Sequence, residues 1–361
     1  MSQPGPVRVL VVGDPYMPVT AYTGALAELG AAVSVTSVQI EGTDAAPPRT
    51  ESERRLREYV GDPAQIARTV PGHDVLIVHG APVSAEVLDA GQLRLVCCAR
   101  GGPVNVDVAA AAERGVLVVN TPGKNAEAVA ELTVAFALLL IRAVPRAGGY
   151  LRDGGGFSES VFDGREFFGH EAPSLTLGLV GLGNVGREVA IRAQALGFTT
   201  IGYDPMPPRP APAQLALVSL DALLENSDVV SLHARATPEN LRMFSGDRFA
   251  QMRPGAYFIN TARESLVDEP ALLDALKRGA LGGAALDVVE RPPAGTRHPL
   301  LDAPNVIITP HIGGATAETL RRGAQRTVAA VADLINGRVP ANLVNPGVLS
   351  TGSALPESAR P

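Results

Sequence analysis

Short, continuous runs of Val, Ile and Leu alternate with Ala- and Leu-rich amphipathic stretches along most of the chain. Such uninterrupted apolar runs are typical of strands that are covered on both faces, as in a parallel sheet. In the first third of the chain, this pattern predicts five strands and three helices. The strands are Val7–Asp14, Ala31–Val38, Asp74–Gly80, Leu93–Ala99 and Val116–Asn120, and the helices are Ala21–Leu29, Glu51–Tyr59 and Pro63–Thr69.

A long helix is predicted from about Asn125 to Val144, with Pro145 ending it. A second alternating series then begins at LTLGLVGLG (Leu175–Gly183) and ends near Pro310, and a final helix is expected over Ala317–Asn336. Two such series predict two doubly wound α/β domains, the second inserted into the first. We therefore predict a first domain over 1–121, an inserted domain over 122–311, a return helix of the first domain within 312–345, and a disordered tail, rich in Ser, Pro and Ala, over 346–361.

Composition and charge exclude several classes of protein. Of the 361 residues, 46% are hydrophobic and 19% are charged, as in ordinary globular proteins, and the net charge of −6 comes without any long run of Lys and Arg. These features argue against a nucleic-acid or anionic-membrane surface. The adjacent Cys97 and Cys98 are interpreted as buried apolar residues rather than a metal site. The N-terminus lacks the apolar core of a signal peptide, and Leu132–Ile141 is too short to span a bilayer, so a cytoplasmic location is expected.

The segment GLGNVG (Gly181–Gly186) fits the pattern G-x-G-x-x-G. The pattern alone is weak, but here it follows an apolar strand and opens a helix, and the next strand ends in Asp204. This acid stands at about the distance at which dinucleotide-binding domains carry the residue that contacts the ribose. The context therefore predicts a dinucleotide site.

Each part of this motif has a physical role. Gly181 permits a tight turn, Gly183 lets the backbone approach a pyrophosphate, and Gly186 lets the helix pack closely against the strand. The helix N-terminus offers N–H groups and a positive dipole end to the phosphates. Asp204 can accept hydrogen bonds from ribose hydroxyls and would repel a 2′-phosphate, so NAD is favoured over NADP.

Several further segments occur in a characteristic order: VVNTPGKNAEAVAEL (Val118–Leu132), FDGREFFG (Phe162–Gly169), NTARESLVDEPAL (Asn260–Leu272), GAALDVVE (Gly283–Glu290) and TPHIGGAT (Thr309–Thr316). With the glycine motif, they resemble the D-isomer-specific 2-hydroxyacid dehydrogenases from about Val7 to Leu349. The resemblance implies an NAD-binding Rossmann domain inserted into a flavodoxin-like substrate-binding domain, and a homodimer. It also implies hydride transfer between NAD(H) and C2 of a small anionic 2-hydroxy or 2-keto acid, with phosphoglycerate-like compounds and sugar acids among the candidates.

The resemblance also implies the functional residues. Arg263 would grip the substrate carboxylate and polarise the keto oxygen, and His311 would be the general acid/base. Outside the family context, Arg263 would be better interpreted as part of a surface ion pair, and His311 as a helix-capping or core histidine. Cofactor contacts are expected from Gly181, Gly183, Asn184, Val185, Gly186, Asp204, Ala234, Thr261, Ala262, Arg263, Asp287, His311, Gly313 and Gly314. Substrate contacts are expected from Arg100, Gly101, Gly102 and Arg263, and Lys124 is either a further cation for a second acidic group or a solvated surface residue.

One departure from the family pattern bears on catalysis. The family places a Glu five residues after the Asp of its LDV segment, where this chain has Pro292. Glu290 is two residues earlier and would have to reach His311 through a rearranged loop. Without a neighbouring anion the imidazolium is less favoured, so a weaker or pH-shifted enzyme is expected. An NAD(H)-binding sensor or scaffold without turnover is therefore the alternative, although the joint retention of Arg263 and His311 favours an enzyme.

Overall fold

The computed structural model describes residues 5–156, 167–207, 214–293, 295–303 and 305–351. Residue contacts divide the chain into two units. Unit 1 comprises Met1–Lys124 and Ala315–Pro361, and unit 2 comprises Asn125–Gly314. Each of the two boundaries between the units lies three residues after the boundary predicted from the sequence.

The described residues contain twelve strands, and every strand pairing is parallel. Unit 1 holds β1 (Val7–Gly13), β2 (Val33–Gln39), β3 (Val75–Val78), β4 (Leu95–Cys98) and β5 (Leu117–Val119). Unit 2 holds β6 (Thr176–Val180), β7 (Thr199–Tyr203), β8 (Ala216–Leu217), β9 (Val229–Leu232), β10 (Ala256–Asn260), β11 (Leu281–Leu286) and β12 (Val306–Ile308).

Thirteen α-helices accompany these strands in the described part of the chain. The first five are α1 (Thr20–Ala27), α2 (Glu51–Arg55), α3 (Pro63–Thr69), α4 (Ala85–Asp89) and α5 (Val108–Glu113). Unit 2 contributes α6 (Ala126–Ile141), α7 (Val144–Arg152), α8 (Asn184–Ala195), α9 (Leu220–Asn226), α10 (Gly246–Gln251) and α11 (Glu269–Lys277). The chain returns to unit 1 with α12 (Ala317–Ile335) and α13 (Val348–Thr351).

The strand orders confirm the predicted doubly wound fold class. The sheet of unit 1 has the order β2-β1-β3-β4-β5, which is the flavodoxin-like arrangement. The sheet of unit 2 has the order β12-β11-β10-β9-β6-β7-β8. Counted from its own first strand, this is the Rossmann order with one further strand at the β12 edge. In both units, parallel strands place their carboxyl ends at one edge of the sheet.

The strands β1, β3, β4 and β5 of the unit 1 sheet are buried on both faces, as their continuous apolar runs predicted, whereas the edge strand β2 is mostly exposed. Val9 and Val11 face a cluster that includes Val328 and Val331 of α12, whereas Leu10 and Val12 belong to a separate cluster on the other face. The adjacent cysteines follow the same alternation, with Cys97 in the first cluster and Cys98 in the second. Burial raises the pKa of the Cys98 thiol to about 11, and that of Cys97 still further, so both thiols are inert packing groups.

Three boundaries differ from the predictions. Pro145 does not end helical structure, because it lies in the first turn of α7, where its missing N–H costs no hydrogen bond. Helix α2 stops at Arg55 rather than Tyr59, since Leu56 is extended and Glu58 has a positive φ of 50°. The tail predicted to be disordered from 346 instead begins with α13, whose Val348 is buried. Residues 352–361 lie outside the described part of the chain.

No single helix in the described ranges is long and apolar enough to cross a bilayer. The pair α6 and α7 passes jointly by length and composition, with a bend of 64° between the two helices. Most of α6 is buried within unit 2.

Candidate functional site

The predicted cofactor and catalytic residues of unit 2 all follow strands of one parallel sheet. Because the strands run in the same direction, their carboxyl ends lie at one edge, which is where doubly wound folds bind ligands. The structure therefore brings the predicted residues to this edge. They follow β6 (Gly181–Gly186), β7 (Asp204), β9 (Ala234), β10 (Thr261–Arg263), β11 (Asp287) and β12 (His311–Gly314).

The glycine turn after β6 has the geometry that its motif predicts. Gly181 has a φ of +95°, and a Cβ there would lie 2.7 Å from the backbone nitrogen of Ala234. At Gly186, a Cβ would lie 2.1 Å from the carbonyl oxygen of Gly181. At Gly183, by contrast, a Cβ would meet nothing within 4 Å. The first and last glycines are thus required by packing, whereas the middle one borders open space.

Helix α8 begins at Asn184, directly after this turn, and no side chain caps it. Its first-turn N–H groups and its positive dipole end are therefore directed toward the carboxyl edge of the sheet, beside the open space at Gly183. This arrangement suits a phosphate or pyrophosphate. The residues present fit the phosphate portion of a dinucleotide on these geometric grounds alone.

Asp204 fixes the entry to the glycine turn. One carboxylate oxygen accepts a hydrogen bond from the Leu182 N–H at 2.8 Å, and the other accepts one from the Met206 N–H at 2.9 Å. A carboxylate has about four lone-pair positions, so two remain for further donors. Asp204 can therefore hold the loop and accept a hydroxyl hydrogen bond at the same time.

Arg263 is held by the side chain of Asn260, the buried last residue of β10. The Asn260 amide oxygen accepts from the Ala262 N–H at 2.9 Å, and its nitrogen donates to the Arg263 carbonyl at 2.9 Å. The Arg263 guanidinium in turn donates to the Ala262 carbonyl at 2.8 Å. Thr261 is tied to Thr133 of α6 by a hydroxyl–hydroxyl hydrogen bond of 3.0 Å. These contacts make the Thr261–Arg263 backbone a rigid support for the guanidinium.

The turn that carries His311 is held by Asp287, a buried residue that directly follows β11. One oxygen of Asp287 accepts from the Thr309 hydroxyl at 2.6 Å and from the Ile312 N–H at 2.8 Å, and the other accepts from the Gly313 N–H at 2.7 Å. His311 itself has a φ of +60°, a conformation that costs energy for a residue with a Cβ. Its side chain is exposed. The three hydrogen bonds to Asp287 explain how this turn is maintained.

Glu290 does not replace the missing family glutamate in this structure. Its carboxylate lies 3.7 Å from the guanidinium of Arg242. No side-chain partner of His311 occurs among the described residues. The suggestion that Glu290 reaches His311 is therefore wrong for this conformation, because its backbone is tethered elsewhere.

That tether is a buried pair that the sequence analysis missed. Glu269, the first residue of α11, accepts a 2.7 Å hydrogen bond from the Glu290 N–H, and its second oxygen lies 3.0 Å from His298 Nε2. The other nitrogen of His298 accepts from the Leu300 N–H, so Nε2 carries the proton and donates to Glu269. The pair spans 29 residues of sequence, and nothing local in either segment indicates the contact.

His233 is a second residue that sequence reasoning overlooked. It follows β9, and its Nε2 lies 2.9 Å from the Ser231 hydroxyl. Its Nδ1 is buried without a hydrogen-bond partner among the described residues. Burial lowers the pKa of this imidazole to about 3, so it is neutral at physiological pH. His233 borders the glycine turn, since a Cβ at Gly186 would lie 3.7 Å from His233 Cβ.

The predicted substrate residues of the first domain lie in unit 1, after β4. Arg100 donates to the Glu58 carbonyl at 2.5 Å and forms an ion pair with the Glu58 carboxylate. A Cβ added to Gly101 or Gly102 would meet nothing within 4 Å. Lys124 is buried rather than a solvated surface cation, which was the alternative left open by the sequence.

Comparisons with known proteins place these observations in a family. The model described as "D-isomer specific 2-hydroxyacid dehydrogenase, NAD binding domain" matches residues 134–313. Hydroxypyruvate reductase of Thermotoga maritima is 39% identical over 262 residues, which cover 72% of this chain and 83% of that protein. D-3-phosphoglycerate dehydrogenase of Pongo abelii is 38% identical over 281 residues, 76% of this chain.

The chain spans only about half the length of this phosphoglycerate dehydrogenase, 51%. Among solved structures, the TT0316 protein of Thermus thermophilus is 36% identical, with a TM-score of 0.75 and coverage of 94% of this chain and 100% of that one. The similarity of this chain to known proteins, in sequence and in fold, thus extends over most of its length.

Proposed function

The chain belongs to the D-isomer specific 2-hydroxyacid dehydrogenase family, and on that premise we propose that it transfers a hydride between NAD(H) and C2 of a small 2-hydroxy or 2-keto acid. The observation that carries this proposal is the pair of supported turns in unit 2. Arg263 and His311 stand at the carboxyl ends of β10 and β12, on either side of β11, each on a turn braced by a buried polar side chain. Such bracing is what a preorganised site requires.

NAD is the proposed cofactor because the residues present fit it. The uncapped start of α8 and the open space at Gly183 would accept the pyrophosphate, and Asp204 retains lone pairs for ribose hydroxyls. The carboxylate of Asp204 would repel the 2′-phosphate of NADP. When bound, the nicotinamide supplies or accepts the hydride.

The residues of the chain supply binding and proton transfer. The Arg263 guanidinium would bind the substrate carboxylate through paired N–H donors and withdraw electron density from the adjacent keto group. The exposed His311 imidazole would donate a proton to the oxygen on C2 during reduction, or accept it during oxidation. In this role Asp287 is a positioning residue, since both of its oxygens are already engaged by the turn.

The absence of a carboxylate partner for His311 has a direct consequence for catalysis. In the described residues Glu290 pairs with Arg242, and the family position for the glutamate is Pro292. The imidazolium then lacks a stabilising anion, so we expect slower turnover than an enzyme with the full constellation would show. We expect turnover nevertheless, because Arg263 and His311 are both present on braced turns.

The assembly proposed for the protein is a homodimer formed through unit 2. Helix α7 buries none of its residues and exposes Val144, Tyr150 and Leu151 by 39–47%, and Phe168 is exposed by 75%. Large apolar side chains grouped in this way are typical of an interface. Cytoplasmic localisation stays a prediction from the sequence.

The test is a panel of 2-keto acids assayed with NADH and with NADPH. Glyoxylate, hydroxypyruvate, 3-phosphohydroxypyruvate and longer keto acids should reveal at least one substrate that is reduced with NADH in preference to NADPH. Arg263→Gln and His311→Gln should each lower kcat/KM by about a hundredfold or more, while NADH binding stays within about threefold. Binding of NADH without turnover of any panel member would support the sensor alternative and refute the proposal.

A further inference from the structure

One buried carboxylate of unit 2 holds the segment 290–298 at both of its ends. Glu269, the first residue of α11, is only 7% exposed. One of its oxygens accepts a hydrogen bond from the Glu290 N–H at 2.7 Å, and the other accepts one from His298 Nε2 at 3.0 Å. Neither contact belongs to the glycine turn or to the two braced turns, so the pair of Glu269 and His298 is a separate feature of this unit.

His298 links this carboxylate to the short 3-10 helix Pro299–Asp302. Its Nδ1 accepts a hydrogen bond from the Leu300 N–H at 3.2 Å, which caps that helix. Leu300 is 1% exposed and lies in the apolar core of unit 2. Both nitrogens of the imidazole are therefore used, Nδ1 as an acceptor and Nε2 as a donor, and the ring is neutral in this arrangement.

The segment that this pair holds lies in the chain between the two supports of the His311 turn. It begins three residues after Asp287, whose carboxylate accepts hydrogen bonds from the Ile312 and Gly313 N–H groups. It leads into the 3-10 helix, which packs against both α11 and β12, and β12 ends three residues before His311. A displacement of the segment would therefore act on the turn from both sides.

A proton added to the pair weakens it at either residue. On His298 the proton would occupy Nδ1, which would then oppose the Leu300 N–H as a second donor. On Glu269 it would remove the negative charge that strengthens both hydrogen bonds to this carboxylate. The segment is thus held firmly only while the pair carries the single proton on Nε2.

Burial moves this protonation toward neutral pH. It raises the pKa of the Glu269 carboxyl above the ordinary value of 4.5, and the charge of the Glu290 carboxylate acts in the same direction. The hydrogen bond from the Glu290 N–H and the contact with His298 oppose the change without cancelling it. The position of Glu269 at the N-terminus of α11 favours its ionised form as well.

The elements packed against α11 carry further charges. Arg248 of α10 pairs with Asp221, and Asp302 of the 3-10 helix pairs with Arg297. Asp247 of α10 is exposed, where solvent and salt screen its charge. The protonation of the buried pair is therefore governed mainly by its burial and its own contacts.

We propose that Glu269 and His298 are positioning residues for proton transfer at His311, and that their protonation releases the segment 290–298 and slows turnover. The proposal rests on the proposed function, because it concerns the reaction assigned to His311. Both residues act through the turn that carries the imidazole, and neither contacts the reacting atoms. The pair thereby sets the lower pH limit of the enzyme.

In the direction of keto-acid reduction, the effects of the pair and of His311 fall on opposite sides of the pH profile. His311 must be protonated to donate, so its own titration lowers the rate as the pH rises. Protonation of the pair loosens the turn, so it lowers the rate as the pH falls. The acid limb of the kcat profile therefore reports on Glu269 and His298, and the alkaline limb reports on His311.

The first test is the pH profile of kcat for the reduction of glyoxylate or hydroxypyruvate with NADH between pH 5 and 9. Glu269→Gln cannot take up a proton in this range, and its NH2 group faces the Nε2–H of His298. The variant should lack the acid limb and should have a kcat about tenfold below that of the unmodified protein at pH 7.5. KM and the Kd for NADH should change less than threefold. An acid limb that persists at its original pH would overturn the proposal.

Two variants of His298 separate the roles of its nitrogens. His298→Asn keeps an acceptor for the Leu300 N–H but removes the donor to Glu269, so the acid limb should move to higher pH. His298→Gln keeps that donor and removes the acceptor, so the limb should stay about where it was, with a lower kcat. Equal positions of the limb in the two variants would overturn the proposal. As the matched control, Asp302→Asn removes a carboxylate from the same 3-10 helix and should leave the profile unchanged.

Magnetic resonance of the six histidines, labelled with carbon-13 at Cε1, separates failure of this inference from failure of the proposed function. His298→Asn and His311→Gln assign the two signals of interest. The His311 signal should shift as the pair takes up its proton, and Glu269→Gln should abolish that shift. A His311 titration that is identical in Glu269→Gln and in the unmodified protein would overturn only the positioning pair. A Glu269-dependent shift without turnover of any keto acid would overturn only the dehydrogenase.

Discussion

Replacing Asp287 by Asn tests how far the His311 turn depends on one carboxylate. The substitution keeps size and shape, but it leaves one acceptor oxygen where the structure uses two. If that oxygen serves the Thr309 hydroxyl and the Ile312 N–H, the new amide NH2 faces the buried Gly313 N–H, and two donors oppose each other. Rotating the amide moves the conflict to the Ile312 N–H, since the Thr309 hydroxyl can turn and accept a hydrogen bond from the NH2.

The cost follows from these contacts. Losing a hydrogen bond to a charged group costs about 1.5–3 kcal/mol, and leaving a buried N–H unsatisfied costs about 1–3 kcal/mol, with overlap between the two terms. We expect Asp287→Asn to lower the unfolding free energy of unit 2 by about 2–4 kcal/mol. We also expect kcat to fall by about tenfold or more, because the turn no longer fixes the position of His311.

Chemical denaturation followed by circular dichroism, fitted with a transition for each unit, measures the first effect, and steady-state kinetics measures the second. The matched control is Asp268→Asn. Asp268 caps α11 by accepting one hydrogen bond from the Ala271 N–H, and Asn is an equally good cap, so less than about 0.5 kcal/mol should be lost. Equal, small effects of the two substitutions on stability and on kcat would refute the reasoning.

Three further predictions concern the glycine turn, acid stability and assembly. Gly186→Ala should destabilise unit 2, because the added Cβ has no room. Gly183→Ala should leave the melting temperature unchanged and should weaken NADH binding by about tenfold, as measured by fluorescence titration. Equal effects of the two substitutions on the melting temperature would contradict this prediction. As the pH falls below about 6.5 the folded state should lose stability, because burial lowers the pKa of His79 and unfolding lets it take up a proton. It should lose more below pH 3.8, the ordinary pKa of an aspartate, because the lowered pKa of Asp14 lets the unfolded chain take up that proton first, so Asp14→Asn should flatten the pH dependence of the denaturation midpoint in this acid range, and an unchanged slope there would contradict it. Leu151→Asp should shift a dimer toward monomer in sedimentation velocity, and an unshifted dimer would place the interface elsewhere.

The pattern of apolar runs was sufficient to predict both sheets, apart from the exposed two-residue edge strand β8. Strand β3 and the part of β1 from Val9 onward are buried on both faces, so these residues are apolar and no alternation obscures the signal. The glycine motif was equally informative, because the close contacts at Gly181 and Gly186 permit no other residue. These features are local, which is why the sequence reveals them.

Contacts between distant segments were not predictable in the same way. The Glu269–His298 pair and the Asp14–His79 pair join residues that are far apart in the chain, and each residue alone reads as an ordinary polar position. Lys124 shows the same limit, since only packing determines whether a lysine in a turn is buried. The end of α2 was missed for a different reason. Leu56 is extended, and no helix-breaking residue stands at this position in the sequence to indicate that the helix ends.

The late return of α12 to unit 1 has a consequence for biosynthesis. This helix covers one face of the unit 1 sheet, where Val328 and Val331 pack with Val9, Val11 and Leu95. On the ribosome, that face is covered only by α1 until all of unit 2 has been translated, which at ordinary elongation rates takes roughly 10–40 s. A nascent chain halted before Ala317 should therefore expose the part of this apolar face that α12 covers, and bind chaperones that recognise such surfaces.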